Sequence, residues 1–324
     1  MVGLFKANNA FNVFLLFIYG LLLKLAWLLH PAIPGLQKTD GFLFKKLLLQ
    51  LQFTGAQLPI MYFIITYVLL FTQAITLNKI VSDQKLMQRT NYLPAMSYLL
   101  ITSMFKEWNV LSAALIINTL MLFAWSRLSD IYGNSKPKTL LFNIGLIIGL
   151  CSFFYFPSLV FGLLIVYVLV VSRPFILAEW VIALMGIITP YYFLFAYLFL
   201  TDRLNTYKIA YLKISYPHLQ HNPWEFSAIV LAILTFFIGF FVVQANFRKQ
   251  LVQIRKKWSL VLLYFVIAIF IPFINAVPSL LYWLLAAIPL SAYIAGAFLY
   301  PSKRWLPFLL HWIMAAIVVM ISFQ

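Results

Sequence analysis

Acidic residues are scarce in this chain: seven Asp and Glu stand against 23 Lys and Arg in 324 residues, and charged residues of either sign make up only 9%. Soluble globular domains carry about a quarter charged residues. A chain that is 64% hydrophobic with a mean hydropathy of +0.97 is therefore not one of them. Cysteine is equally scarce, since Cys151 stands alone, which excludes an intrachain disulfide and any paired-cysteine metal or redox site. No glycine-rich phosphate loop, nucleophile elbow or zinc-binding helix occurs, so the chemistry of soluble nucleotide and hydrolase folds has no footing. No carboxylate sits at the centre of an apolar run, although ion-coupled transporters usually need one on the ion path. The basic excess would suggest nucleic acid in a soluble protein. Here it points to loops facing anionic lipid, with membrane lipids as partners and no nucleic acid.

What the chain does contain is long apolar runs. A span needs about 20 residues of apolar helix, and the chain divides into eleven candidates: 11–29, 58–76, 92–105, 109–125, 140–156, 158–172, 181–200, 227–246, 260–276, 279–300 and 306–323. The first run lacks a small-residue cleavage site and reads as a retained span rather than a signal peptide. The expected fold is an all-α polytopic membrane protein of about 11 transmembrane helices, forming a single transmembrane domain over 1–324. With the N-terminus inside, fifteen of the cations fall on inner segments and seven on outer ones, while Lys24 lies within the first span. That asymmetry is what the positive-inside rule requires. Lys24 lies near the outer end of its helix, where a long side chain can snorkel to the headgroups.

The outer face carries only four acids, Asp40, Glu107, Asp202 and Glu225. Asp40 follows two prolines, Pro31 and Pro34, and precedes Gly41. Beyond it Leu43, Phe44, Leu47, Leu48 and Leu51 fall on one helical face opposite Lys45, Lys46, Gln50 and Gln52, the pattern of a helix lying in the membrane interface. Asp40 then has two readings: an acid held beside two cations that meet a lipid phosphate, or the N-cap of that helix, a part Thr39 can also take. Glu107, next to Lys106 in a short outer loop, reads either as a second functional acid or as a charge favoured by the following helix dipole. The third outer loop, 201–226, brings Arg203, Lys208, Lys213, His218 and His221. Pro217 and Pro223 prevent one regular helix through the two histidines and Glu225, and two His with a distant Glu is weak spacing for zinc, so these groups are expected to meet headgroup phosphate or a phosphorylated substrate.

Within the apolar runs lie Gln73, Asn118, Asn143, Gln244, Asn275 and His311. The order of elements, an inner N-terminus, a first span, an outer loop with an acid and interfacial helix, then short packed spans, resembles the start of the GT-C glycosyltransferases. The stretch "RTNYLPAMSYLLITSMFKEWNVLSAALIINTLMLFAWSRL" followed by "LLFNIGLIIGLCSFFYFPSLVFGLLIVYVLVV" is similar to their middle spans, with Gly145 and Gly149 spaced for close helix packing. The resemblance covers about residues 1–200, a GT-C-like core, followed by the outer loop 201–226 and C-terminal helices 227–324. It implies a polyprenyl-phosphate-linked sugar as substrate, Asp40 as general base on an acceptor hydroxyl, Glu107 helping to position it or to bind a metal, and a divalent metal as an open question. The chain departs from that family where a second acid usually follows the first, because Gly41 stands there.

The segment "SRPFILAEWVIALMGIITPYYFLFAYLFLTD" resembles an uncharacterised polytopic inner-membrane family of Bacteroidota, members of which are sometimes labelled carotene monooxygenase. Four scattered histidines do not supply the iron ligands such chemistry needs. Three functions remain: a lipid-linked sugar transferase in the bacterial inner membrane, a non-catalytic scaffold or subunit of an envelope complex, and a lipid or small-molecule transporter. An enzyme of the first kind is expected to bring Asp40 and Glu107 to one outward cavity, with Lys45, Lys46, Lys106, Arg203, Lys208, Lys213, His218 and His221 around the phosphate.

Overall fold

The structure, a computed structural model, describes residues 1–55, 58–132, 137–203, 213–217, 222–247, 250–301, 303 and 305–322, with backbone alone at 53 and 54. Lys208, His218 and His221 lie outside the described residues. Apolar chain in lipid must satisfy its backbone hydrogen bonds internally, and the described residues are helical with no strands beyond isolated bridges. The helices are α1 (Val2–Phe5), α2 (Phe11–Leu23), α3 (Leu25–Leu29), α4 (Phe42–Gly55), α5 (Ile60–Asp83), α6 (Leu93–Ser103) and α7 (Ala113–Asp130). They continue with α8 (Lys138–Phe154), α9 (Gly162–Ser172), α10 (Leu177–Leu200), α11 (Pro223–Asn246), α12 (Val252–Phe270), α13 (Ala287–Leu299) and α14 (Trp305–Ser322). Local chemistry sets several starts: Ser112 accepts from the Leu115 N–H to cap α7 (3.3 Å), and Asn222 caps α11 through the Trp224 N–H (3.1 Å) with Pro223 in the first turn.

Among the described residues six helical segments are long and apolar enough to cross a membrane: Ile60–Asp83, Leu177–Leu200, Pro223–Asn246, Val252–Phe273, Leu281–Leu299 and Trp305–Ser322. Phe11–Leu23, Leu93–Ser103, Lys138–Phe154 and Phe156–Ser172 are apolar but shorter. The chain is thus a multi-pass membrane protein, helical throughout its described residues, with six helices long enough to cross where the sequence led to an expectation of about eleven.

The core lies around α6 and α13. Every residue of α6 is buried, and the Leu281–Leu299 segment is 94% buried against 17% for Leu177–Leu200. At about 16 Å, α6 is too short to span lipid by itself, and it sits in protein, packed against α5 and α13. Polar side chains inside the bundle serve as glue. Gln73 donates to Leu115 O and Thr119 Oγ1 (both 2.7 Å), joining α5 to α7, and Asn118 donates to Leu284 O (2.8 Å).

The glycine spacing in α8 acts as expected. A Cβ on Gly145 would lie 2.4 Å from Ala183 O and one on Gly149 2.6 Å from Ile187 O, so these two glycines bring α8 against α10 at backbone contact. Two expectations are corrected. The apolar face of α4 does not rest in the acyl boundary: Phe44 (1% exposed) and Leu48 (4%) turn into the protein, against α8 and α5, while Phe42 and Leu49 face outward. The amphipathic pattern was real, but periodicity does not say whether lipid or protein covers a face. Lys24 does not snorkel either. The first span breaks there between α2 and α3, the side chain turns inward to 1% exposure, and its Nζ donates to Thr102 Oγ1 (3.3 Å) and Asn109 Oδ1.

Candidate functional site

The Asp40 loop is a turn closed from both sides. The Asp40 N–H donates to Gln37 O (3.1 Å), and the Gln37 N–H donates to Asp40 Oδ2 (2.7 Å). The next residue locks the turn to the end of α8. The Gly41 N–H donates to Phe154 O (2.7 Å), and Asp40 pairs across to Tyr155 as an antiparallel bridge. A Cβ on Gly41 would fall 2.1 Å from Phe153 O, so only glycine allows this approach. The close contact that Gly41 permits is to backbone, not to a substrate.

The capping reading of Asp40 is not what the geometry presents. Gly41 O accepts from the Lys45 N–H (3.1 Å) to start α4, while each Asp40 oxygen accepts from elsewhere. Tyr282 Oη donates to Oδ1 (2.7 Å), and Thr39 Oγ1 donates to Tyr282 Oη (3.0 Å). The Tyr282 ring stacks on Tyr155, with centroids 3.8 Å apart and planes 11° from parallel. Tyr155 Oη in turn donates to Ile274 O (3.1 Å). Neither tyrosine was singled out in the sequence, although both sit at the end of an apolar run beside a proline, Pro157 or Pro278.

Glu107 reaches the same place from the other side. It lies on a 3-10 turn, Lys106–Asn109, between α6 and α7. Trp108 Nε1 donates to Leu280 O (2.9 Å) and Asn109 Nδ2 to Phe105 O (2.8 Å), while Asn109 Oδ1 receives Lys24. With the turn pinned, Glu107 and Asp40 line one cavity of about 210 Å³, together with Gln37, Ser112, Ser279 and the apolar Ile33, Phe44, Val110, Leu111 and Leu281.

Burial pushes both carboxyls above their ordinary range. For Asp40 the Tyr282 hydroxyl, the Gln37 amide and the charge of Lys45 pull back towards the ionised form. For Glu107 the Ser279 hydroxyl and the N–H groups of Leu280 and Leu281 do so, while the charge of Glu225 pushes further up. Those donors approach the carboxyl, yet Glu107 Oε2 is left buried without a hydrogen-bond partner. The cavity thus holds one carboxyl oriented by donors at both oxygens and a second with an oxygen to spare.

The expected cations lie outside the cavity wall. Lys45 is close enough to act on Asp40, whereas Lys46, Lys106, Arg203 and Lys213 are exposed and do not line the cavity. Lys213 belongs to a strip that pairs with the segment leading to Ser279. Its N–H donates to Asn275 Oδ1 (2.8 Å), its carbonyl accepts from the Asn275 N–H (2.7 Å), and the Ser215 N–H donates to Phe273 O (3.0 Å). Residues 213–217 of the third outer loop are therefore stitched to the segment that leads to the cavity. Two carboxyls with no third charged ligand in the lining are a sparse set for a divalent cation. Among the described residues no three His, Cys, Asp or Glu side chains converge.

No curated protein and no solved structure matches the chain. Residues 41–324 match the family of unknown function DUF6427, a region that begins one residue after Asp40 and takes in Glu107, Tyr155 and Tyr282, and the chain belongs to that family.

Proposed function

We propose that the protein is a GT-C-type glycosyltransferase of the bacterial inner membrane, using a polyprenyl-phosphate-linked sugar at the outer face. The observation that carries this reading is that Asp40 and Glu107, from separate loops, line one cavity at the end of the bundle that the charge distribution assigns to the outside. Asp40 takes the proton from an acceptor hydroxyl. That oxygen bonds to the anomeric carbon, the bond from the anomeric carbon to the phosphate oxygen breaks, and the electron pair leaves with the lipid phosphate. Glu107, with Oε2 unspent, orients the acceptor or sugar hydroxyls. Lys45, within range of Asp40, helps to balance the charge of the departing phosphate.

A lipid-linked donor is further supported by an apolar groove of about 340 Å³ between Phe42 and Leu43, α8 and α10. It begins next to the Gly41 joint and suits a hydrocarbon chain. The test is transfer from a polyprenyl-phosphate sugar by the purified protein, together with rescue of a deletion strain. The Asp40→Asn chain should reach the membrane at normal levels and restore neither activity nor growth. If Asn restores the strain as well as Asp does, the transferase reading fails and a non-catalytic envelope scaffold takes its place.

A further inference from the structure

The far end of the bundle carries a second concave site. Helix α5 is 24 residues long, about 36 Å of rise, so its C-terminal turn lies a membrane's thickness from the Asp40 end. The chain then reverses into α6 through residues 84–92. The reversal is made by Lys85 at φ +53°, the left-handed position that usually falls to glycine or asparagine. Its N–H closes on Ser82 O (3.0 Å) and the Leu86 N–H on Val81 O (3.1 Å).

The rest of the turn is held by buried groups. Trp258 Nε1 donates to Leu86 O (3.0 Å), Leu86 and Met87 are buried, and Asn91 spends its amide on Arg89 O (2.7 Å) and the Leu93 N–H (2.9 Å). What this frame leaves unspent is a run of donors. Among the described residues the N–H groups of Met87, Arg89, Thr90 and Asn91 have no acceptor. Beside them is a cavity of about 160 Å³ whose polar lining includes Lys85, Arg89, Ser82 and Thr90. Asp83 is the sole acid between positions 79 and 94, and it does not line the cavity. Successive free N–H groups, two hydroxyls and two cations around a small hollow suit a tetrahedral oxyanion, and the first turn of α6 adds its dipole in the same sense.

We propose that this hollow between α5 and α6 binds a phosphate ester, with Lys85 and Arg89 as its charged ligands. The positive-inside pattern assigns this end to the cytoplasm, where an anionic phospholipid headgroup or a soluble phosphate ester supplies the group. The site is separate from the carboxylate cavity and does not depend on the transferase reading.

The experiment uses the full chain in neutral detergent. Phosphatidylglycerol micelles, phosphatidylcholine micelles and soluble glycerol phosphate are titrated against thermal unfolding and tryptophan fluorescence. The variants are Lys85→Asn, which tolerates the positive φ, Arg89→Gln, their combination, and Lys106→Gln at the other end as control. Saturable stabilisation by phosphatidylglycerol alone identifies the lipid headgroup, and stabilisation by glycerol phosphate as well identifies the phosphate ester itself. In either case the double variant should unfold normally without ligand and bind about 30-fold more weakly, while Lys106→Gln binds as the parent does. Equal binding by the double variant, equal response to phosphatidylcholine, or no saturable response to either phosphate probe overturns the proposal. If the double variant does not fold, the two single variants decide: neither weakening binding overturns it.

Discussion

The two walls of the carboxylate cavity use the same functional group in opposite ways. On one wall Asp40 is held by Tyr282 Oη and the Gln37 N–H, so its lone pairs are oriented before anything binds. On the other, Glu107 sits on a pinned turn but keeps Oε2 without a partner, with the charge of Glu225 in range. Fixed donors around a carboxyl favour its ionised form, whereas burial beside another acid favours the proton. The difference lies in orientation: burial raises both carboxyls, but Asp40 has both oxygens fixed by donors, whereas Glu107 keeps one oxygen open to a ligand hydroxyl.

The largest effect expected from breaking this comparison is in Asp40→Asn. Loss of a general base removes about 10²–10⁴-fold in rate, and the asparagine leaves one of the two donors facing an NH₂ group. Transfer assays with membrane levels as control check this, and a loss below tenfold would remove Asp40 from the reaction. Gly41→Ala comes next. Its Cβ would meet the Phe153 carbonyl, so α4 has to move off the end of α8 at a cost of about 1–3 kcal/mol, visible as a lower unfolding midpoint.

Tyr282→Phe sharpens the contrast, because it removes the Oδ1 donor and leaves the stacked ring in place. Activity should fall by roughly tenfold, and the acid limb of the pH–rate profile should move up, since the donor that favours the ionised form is gone. A fall in rate with an unmoved limb would make Tyr282 merely structural.

Glu107→Gln probes the other wall by stability. A carboxyl held above its ordinary value of 4.5 binds its proton more tightly in the folded chain, so it favours folding in acid. That contribution is lost as pH rises from 4.5 through the raised folded value. The midpoint of Glu107→Gln should therefore gain on the parent as pH rises through that window, and the opposite slope would show Glu107 stabilised as a carboxylate. Lys45→Gln is the smallest change. It removes a partly screened charge that helps ionise Asp40, so the acid limb should rise by a few tenths of a pH unit at most, less at high salt.

Part of this site was legible in the sequence. With so few acids in the chain, the alternation of spans alone put Asp40 and Glu107 at one end, and the spacing of Gly145 and Gly149 announced a close helix contact that the α8–α10 pair realises. Tyr155 and Tyr282 were not legible, because a tyrosine at the end of an apolar run looks the same whether it faces headgroups, packs in a core or orients a carboxylate. Lys24 was misread for a related reason. Snorkelling is the default for a lone cation near a span end, and only the break of the first helix at that residue, with Asn109 and Thr102 waiting inside, turns it inward.

By itself the sequence determined that the chain is a helical membrane protein, because apolar runs in lipid have no way to satisfy their backbone except as helices. It also determined that Asp40 and Glu107 share one end and where helices could approach to backbone contact. Tertiary structure alone decided that α6 and α13 are core while α10 is periphery, that α4 lies on protein, and that the Asp40 carboxyl meets Tyr282 across the chain. The reason is physical: lipid and a protein interior are equally apolar solvents, so hydropathy does not separate a lipid-facing helix from a buried one, and only the packed neighbours do.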